Sequence, residues 1–336
     1  MAKIGSQRRS AIASAGPSPA GKTDDYVPFL IRFQAWWEGV EPGSLMRRRQ
    51  RAKPRRSKRI DVRSRQAIRE VSERWTPRRI EIVSRIYGEG FIQIGGQSFM
   101  ERRLESMGLD EKMSVLDMSA GLGGTSRLMA RNFGSWISGF EMERQLADAG
   151  MRMSRSENLK DKAPVKPYDP ENVEIQDRRY HFILMRERLH TVKNKVRLLK
   201  ELSEALTPGG KMMLIELVAV DEDAKKHALV KNWSESEYHE LSLWSEDDIK
   251  DAIYHLGLEL DGYYDDSDDY KNAILRDWRR FTRSLQKEEL DQEFVDIMMD
   301  EAEVNKARTD AINAGILKLV RIELTRRKTH TLLSDW

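Results

Sequence analysis

The ten residues Val115–Gly124, VLDMSAGLGG, decide the fold. A short apolar run ends on Asp117, and small residues then turn the chain into the helical pattern of TSRLMARNF. A buried strand passing through a small-residue turn into a helix is the opening unit of a parallel α/β sheet. The same alternation continues outward. SWISGFEM, APVKPYD, YHFILMRE and KMMLIELV read as further strands, and RQLADAGMRMSRSENL and KNKVRLLKELSEAL as the helices between them. SEDDIKDAIYHLGLEL adds a helix and a strand, and GILKLVRIELTRR returns a last strand to the sheet. A mostly helical insertion, about 266–312, separates those two. Upstream, Thr76-Pro77 starts a helix on which Ile80, Val83 and Tyr87 share a face. The fold class is thus α/β, Rossmann-like, with a mostly parallel seven-stranded sheet covered by helices on both sides.

Bulk composition narrows the function classes. The 336 residues contain no cysteine, which excludes a disulfide scaffold and thiolate metal sites; the reading is no metal and a cytoplasmic protein. No apolar run approaches the roughly 20 residues that span a bilayer. The first 25 residues lack the apolar stretch of a secretory signal and read as a disordered tail, with an organelle transit peptide as the alternative. YVPFLIRFQAWWEGV, 26–40, reads as a short amphipathic aromatic helix. Residues 47–69 carry twelve Lys/Arg against one Asp, so a chain of net charge +3 is an acidic body with a basic arm. Such an arm attracts an anionic membrane surface or an acidic protein partner, and less readily nucleic acid, since no nucleic-acid-reading motif accompanies it. A peripheral membrane location follows as one expectation. YYDDSDDY, 263–270, lacks the glycine and bidentate glutamate of a calcium loop and reads as a solvated loop.

Parallel α/β sheets bind ligands at the carboxyl ends of their strands, where strand order reverses. Asp117, Ser119, Gly121 and Gly123 lie at such an end. Glu141 closes the second strand 20 residues after Gly121, where a carboxylate can accept from ribose hydroxyls. Asp169 closes the third and is placed to accept from an adenine amino group. NAD would want a helix N-terminus aimed at a pyrophosphate. S-adenosylmethionine has no phosphate and tolerates an acid immediately before the loop.

IYGEGFIQIGG, VLDMSAGLGG, GFEM, MRERLHTV and LTPGGKMMLIE together resemble the phosphoethanolamine N-methyltransferase group of class I methyltransferases. The resemblance covers about 75–220 and implies S-adenosylmethionine as methyl donor. With the composition and the strand–helix pattern, the chain is read as an N-terminal extension, 1–69, a methyltransferase-like domain, 70–328, and a tail, 329–336. Carried over position by position, the resemblance assigns donor contacts to Ile92, Gln93, Asp117, Ser119, Gly121, Glu141, Met142, Asp169 and Arg186. The family's first loop glycine is Ser119 here, and its ribose-binding Asp is the longer Glu141. Its catalytic Tyr falls on Trp75 and its His on Thr191, with His190 one step away. The candidate catalytic residues are therefore Glu187, His190 and Trp75. Their alternative roles are a solvated strand-end acid, a surface or turn histidine, and core packing. The implied activity is methyl transfer to a small polar or amine acceptor. Two rivals stay open: a non-catalytic scaffold docked through the aromatic helix and basic arm, and an RNA methyltransferase.

Overall fold

The structure is a computed structural model that describes residues 33, 35–37, 74–286 and 290–328. The chain divides into two units, 1–74 with 290–292 and 75–289 with 293–336. In the first, residues 33 and 35–37 are helical, and the Phe33 ring packs 5.9 Å from Trp36 and 6.1 Å from Trp37. The basic arm, the N-terminal tail, most of the aromatic helix and residues 329–336 lie outside the described residues.

The second unit carries the sheet. Its elements are α1 (Pro77–Tyr87), α2 (Gly96–Leu104), β1 (Ser114–Asp117), α3 (Gly124–Asn132), β2 (Trp136–Glu141), α4 (Arg144–Ser156), β3 (Val165–Pro167) and β4 (Tyr180–Arg186). They continue with α5 (Lys195–Ala205), β5 (Leu206–Ala219), α6 (Ala228–Ser236), α7 (Glu246–His255), β6 (Glu259–Asp265), α8 (Ser267–Ser284), α9 (Gln292–Asn313) and β7 (Leu317–Thr325). Strand order is β3-β2-β1-β4-β5-β7-β6. The β1–β2, β1–β4, β2–β3 and β4–β5 pairs are parallel, and β7 runs antiparallel between β5 and β6. Order reverses at β1, which pairs β2 on one side and β4 on the other; the ligand crevice belongs there. This is the parallel α/β architecture that the strand–helix alternation predicted, in the Rossmann-like form that the resemblance to class I methyltransferases implied.

The core explains why these segments hold. Leu116, Ile183, Met185, Leu214, Val218 and Ile322 of the sheet pack with Leu198, Leu199 and Leu202 of α5 and Ile249 and Ile253 of α7. Each such side chain contributes about 1.5–3 kcal/mol when fully buried. Thr76 caps α1, accepting from Arg79 N–H at 3.1 Å. The buried face of α1 is Ile82, Val83, Ile86 and Tyr87, with Ile80 only half-buried, because α1 packs on α8. Helices α2 and α6 were not anticipated. The stretch read as a solvated loop is also different: residues 263–265 end β6 and 267–270 begin α8, with Tyr270 fully buried. Its acids are paired, Asp266 with Arg103 at 2.8 Å and with Arg321 at 3.1 Å.

Two close approaches position the site. Gly150 of α4 lies so near the loop that a Cβ there would stand 3.0–3.2 Å from the backbone of Leu122 and Gly121. Asp277 of α8 accepts from Gly95 N–H at 2.7 Å, fixing the turn before α2. No helix among the described residues is long and apolar enough to cross a membrane.

Candidate functional site

The turn after β1 is built by its own acid. Asp117 Oδ1 accepts from Ser119 N–H at 3.1 Å and Ser119 Oγ at 3.3 Å, and Oδ2 accepts from Ser126 Oγ at 2.7 Å. Complete burial pushes the Asp117 carboxyl up to about 6, against the downward pull of these bonds. Gly121 (φ +55) and Gly123 (φ +77) take left-handed backbone, whereas Ser119 does not, so a side chain at 119 carries no backbone strain. Ser119 Oγ also accepts from Arg186 N–H at 2.9 Å, joining the end of β1 to the end of β4. Ile92 and Gln93 lie on the loop: a Cβ on Gly121 would fall 2.8 Å from Ile92 Cγ1, and Gln93 Nε2 donates to Ser119 O at 2.8 Å.

Glu141, fully buried at the end of β2, closes over this turn. Its Oε2 accepts from Gly121 N–H at 2.9 Å and its Oε1 from Glu143 N–H at 2.9 Å. Arg188, on the loop after β4, adds a guanidinium 3.1 Å from both carboxylate oxygens. Met142 beside it is half-buried. Asp169 is not part of this cluster's hydrogen bonding. It lies two residues beyond the end of β3, exposed, and accepts from Glu171 N–H at 2.9 Å and Asn172 Nδ2 at 2.5 Å within its own turn.

Beyond β4 and β5 the chain assembles a second, buried polar cluster. Arg186 pairs through Nε with Glu187 at 3.1 Å, donates from Nη2 to Ile94 O, and lies 4.5 Å above the Phe99 ring. Its Nη1 is buried without a hydrogen-bond partner. Glu187, at φ +48, accepts from Tyr270 OH at 2.7 Å and from Arg308 Nη1 at 3.0 Å. It is buried and paired, so the expectation of a solvated acid fails. Burial alone would raise its carboxyl; Arg186 and Arg308 outweigh this and hold it below its usual range. Arg308 of α9 also donates to Glu237 from Nε at 3.0 Å and from Nη2 at 2.5 Å, with its guanidinium 5.6 Å above Trp233. Burial opposes ionisation of Glu237, yet Arg308 brings its carboxyl down to about 2.

His190 is a turn residue, as expected, but not a surface one: it is 2 % exposed. Its Nδ1 lies 2.5 Å from Glu216 Oε1 of β5, and its ring centroid 5.4 Å from that of Trp233. Thr191, where the resemblance places a histidine, donates its hydroxyl to Arg188 O at 2.8 Å and serves the turn. Trp75 is buried. The sequence singled out neither Arg188, Glu216, Trp233, Glu237, Tyr270 nor Arg308. Only Glu216 carried a signal, as the acid ending the KMMLIE run of β5, read there purely as strand. No group of His, Asp and Glu suited to a metal ion occurs among the described residues.

A family model described as a methyltransferase domain matches residues 93–262. Phosphoethanolamine N-methyltransferase 3 of Arabidopsis thaliana is 25% identical over 132 residues, 39% of this chain and 26% of that protein. The matched chain thus spans about a quarter of the length of such curated relatives. Haemonchus contortus phosphoethanolamine N-methyltransferase 2, solved in complex with S-adenosyl-L-methionine, has a TM-score of 0.64 at 17% identity, covering 74% of this chain and 56% of its own. The [4+2]-cyclase SpnF has a TM-score of 0.59 at 14% identity, covering 74% of this chain and 92% of its own. Likenesses this distant in sequence establish the fold alone. The family model reaches half of the sequence: the chain belongs to the methyltransferase-domain family, with the class I fold.

Proposed function

We propose that this chain transfers a methyl group from S-adenosylmethionine to a small polar acceptor, with an amine as the favoured class. The observation that carries the reading is the buried loop–acid pair, Gly121 N–H on Glu141 Oε2 at 2.9 Å, at the point where strand order reverses. The residues present fit the donor. Glu141 offers acceptors for ribose hydroxyls, and the unpartnered Nη1 of Arg186 offers a buried cation for the methionyl carboxylate. Ser119, Gly121, Ile92 and Gln93 supply the small-residue wall between them. When bound, the donor supplies an electrophilic methyl group on a sulfonium centre.

The acceptor side is the cluster beyond β4 and β5. Carboxylates of Glu187 and Glu237 beside the Trp233 ring suit a cationic or amine-bearing group, sharing these partners with Arg308. Burial excludes water, and orientation of two reactants in such a site supplies much of the rate of an in-line displacement. Relatives that act on phosphoethanolamine support the small-amine class.

One observation favours a second reading, a methyltransferase fold kept as a binding or scaffold subunit. Arg188 already engages both oxygens of Glu141, so a ribose must displace it. The likeness to a [4+2]-cyclase is a reminder that this fold serves other ends. Calorimetric titration of the full chain with S-adenosylmethionine and S-adenosylhomocysteine separates the two. Saturable binding that Arg188→Ala strengthens supports the donor site with Arg188 as a displaceable occupant. Absence of binding in both wild type and Arg188→Ala leaves the scaffold.

A further inference from the structure

We propose that Glu216 is a positioning residue that locks His190 as its Nδ1–H tautomer, so that Nε2 takes the proton released by the acceptor. The inference rests on the methyl-transfer reading above for the origin of that proton. Its structural part stands on the surroundings of Glu216. Oε2 accepts from Arg188 N–H at 3.0 Å and Leu189 N–H at 2.6 Å, and Oε1 accepts from Leu217 N–H at 2.7 Å. Three backbone donors converging on one buried side chain suit an ionised, acceptor-only carboxylate. The fourth contact, His190 Nδ1 at 2.5 Å from Oε1, must then be a donor. A neutral imidazole that donates from Nδ1 presents a lone pair at Nε2. Nε2 makes no hydrogen bond among the described residues, and the ring lies within electrostatic reach of Glu187 and Glu237.

The rest of the ring's setting restrains it. Trp233 packs beside it with the two rings tilted by 49°, and Ser242 N–H donates to His190 O at 2.7 Å, which ties down the turn. The same carboxylate therefore shapes the turn through Arg188 and Leu189 N–H and orients the imidazole that the turn carries. A carboxylate fixing a histidine's tautomer and countering the charge it gains is the general logic of a positioned base. In the step assigned here the N–H bond of the methylated nitrogen breaks and its electron pair stays on nitrogen. The proton bonds to Nε2, and the resulting imidazolium is paired by Glu216. The one-residue offset between His190 and the family's histidine position then matters less, because β5 supplies the group that aims the ring.

The test is the nitrogen-15 spectrum of the histidine rings in the full chain, with His190 assigned by its loss in His190→Gln. Wild type should show Nδ1 protonated and Nε2 bare. In Glu216→Gln the amide oxygen stays with Arg188 and Leu189 N–H, which turns the NH₂ toward His190 and inverts the tautomer to Nε2–H. Glu216→Asp should keep the wild-type tautomer. With phosphoethanolamine as probe acceptor, Glu216→Gln and His190→Gln should each lower turnover by about 100-fold or more with KM changed less than about threefold. Glu216→Asp should recover part of it. A wild-type Nε2–H ring, a tautomer unmoved by Glu216→Gln, or wild-type turnover in His190→Gln overturns the proposal. If Glu216→Gln does not fold, the wild-type and Glu216→Asp spectra decide by themselves. Titration with S-adenosylhomocysteine runs alongside: failure there with the Nδ1–H tautomer intact strikes the methyl-transfer reading and not the pairing.

Discussion

The two halves of the candidate site are built in opposite ways. Around the loop, acids take backbone and hydroxyl donors close to them in sequence, Asp117 from Ser119 and Ser126 and Glu141 from Glu143 and, 20 residues off, Gly121, with Arg188, 47 positions on, adding a guanidinium to Glu141. Beyond β4 and β5, acids are satisfied by charges from far along the chain. Arg308 reaches Glu187 across 121 positions and Glu237 across 71, and Tyr270 reaches Glu187 across 83. A neighbouring N–H is held in place by the backbone that carries it. A distant guanidinium is held only by the packing of whole helices, so the second half depends on α8 and α9 docking correctly. The loop half should therefore tolerate single changes, and the distal half should not.

The largest expected effect lies in that distal half. Arg308→Ala strands the buried Glu237 carboxylate and leaves Glu187 to Arg186 and Tyr270, and breaking a buried pair from one side costs about 3–5 kcal/mol. Urea unfolding should show that loss, and adding Glu237→Ala should restore part of it, because the two side chains act as one unit. A loss below about 1 kcal/mol would mean that water or another cation reaches Glu187 and Glu237, and the contrast between the halves would fail.

The loop half contributes a pH effect of opposite sign to most paired acids. Asp117 titrates near 6 in the native state, above the unfolded value of 3.8. The native chain thus binds a proton between about pH 4 and 6 that the unfolded chain does not, and this group's contribution to stability rises as pH falls through 6. The full excursion is about 3 kcal/mol. Glu237 runs the other way: its depressed carboxyl gives stability that is present above the unfolded pKa and lost as pH falls towards 2. Asp117→Asn isolates the first term. The variant should gain on wild type at pH 7 and lose most of that advantage by about pH 4. A difference independent of pH would show that Asp117 is not the group responsible.

These contrasts also explain what the sequence disclosed. Asp117, Gly121, Gly123 and Glu141 were legible because strand ends and small-residue turns leave local patterns, and the sheet brings those ends together whatever the loops do. Asp169 was assigned by the same rule, but β3 is only three residues long, Val165–Pro167, and ends two residues before it. His190 looked like a surface turn because nothing near it in sequence marks Glu216 or Trp233 as its neighbours. Tyr270 sat in an acidic stretch that resembles a loop; it is helical because Asp268 and Asp269 suit the first turn of α8, while Tyr270 turns inward. Helix α2 was hidden by the two glycines at its start.

Donor affinity tests the loop half directly. Glu141→Ala removes a buried carboxylate from the turn and should weaken S-adenosylhomocysteine binding by about 1–3 kcal/mol, the range for a charged hydrogen-bonding partner. Asp169→Ala should leave that affinity close to wild type, since its carboxylate is exposed and already bonded within its own turn. Equal losses would put Asp169 back into the donor site and extend the loop half across β3.

The smallest effect is expected at Ser119, the residue that departs from the family's glycine. Ser119→Gly removes the hydroxyl that accepts from Arg186 N–H at 2.9 Å and donates to Asp117 at 3.3 Å. Losing a modest hydrogen bond costs about 1 kcal/mol, and the added backbone freedom of glycine about 0.5–1 kcal/mol more. Ser119→Ala separates the two, because it loses the hydroxyl and keeps the Cβ. The two variants should differ in stability by less than about 1 kcal/mol, and both should bind S-adenosylhomocysteine within about threefold of wild type. The reason is geometric: the Ser119 hydroxyl is turned along the strand ends toward Asp117 and Arg186, where it bridges β1 to β4, and its backbone needs no glycine. A wild type that binds no donor beside a glycine variant that does would show the side chain filling the donor's place. The loop half would then be a closed turn, and the functional chemistry of this chain would rest on the distal cluster alone.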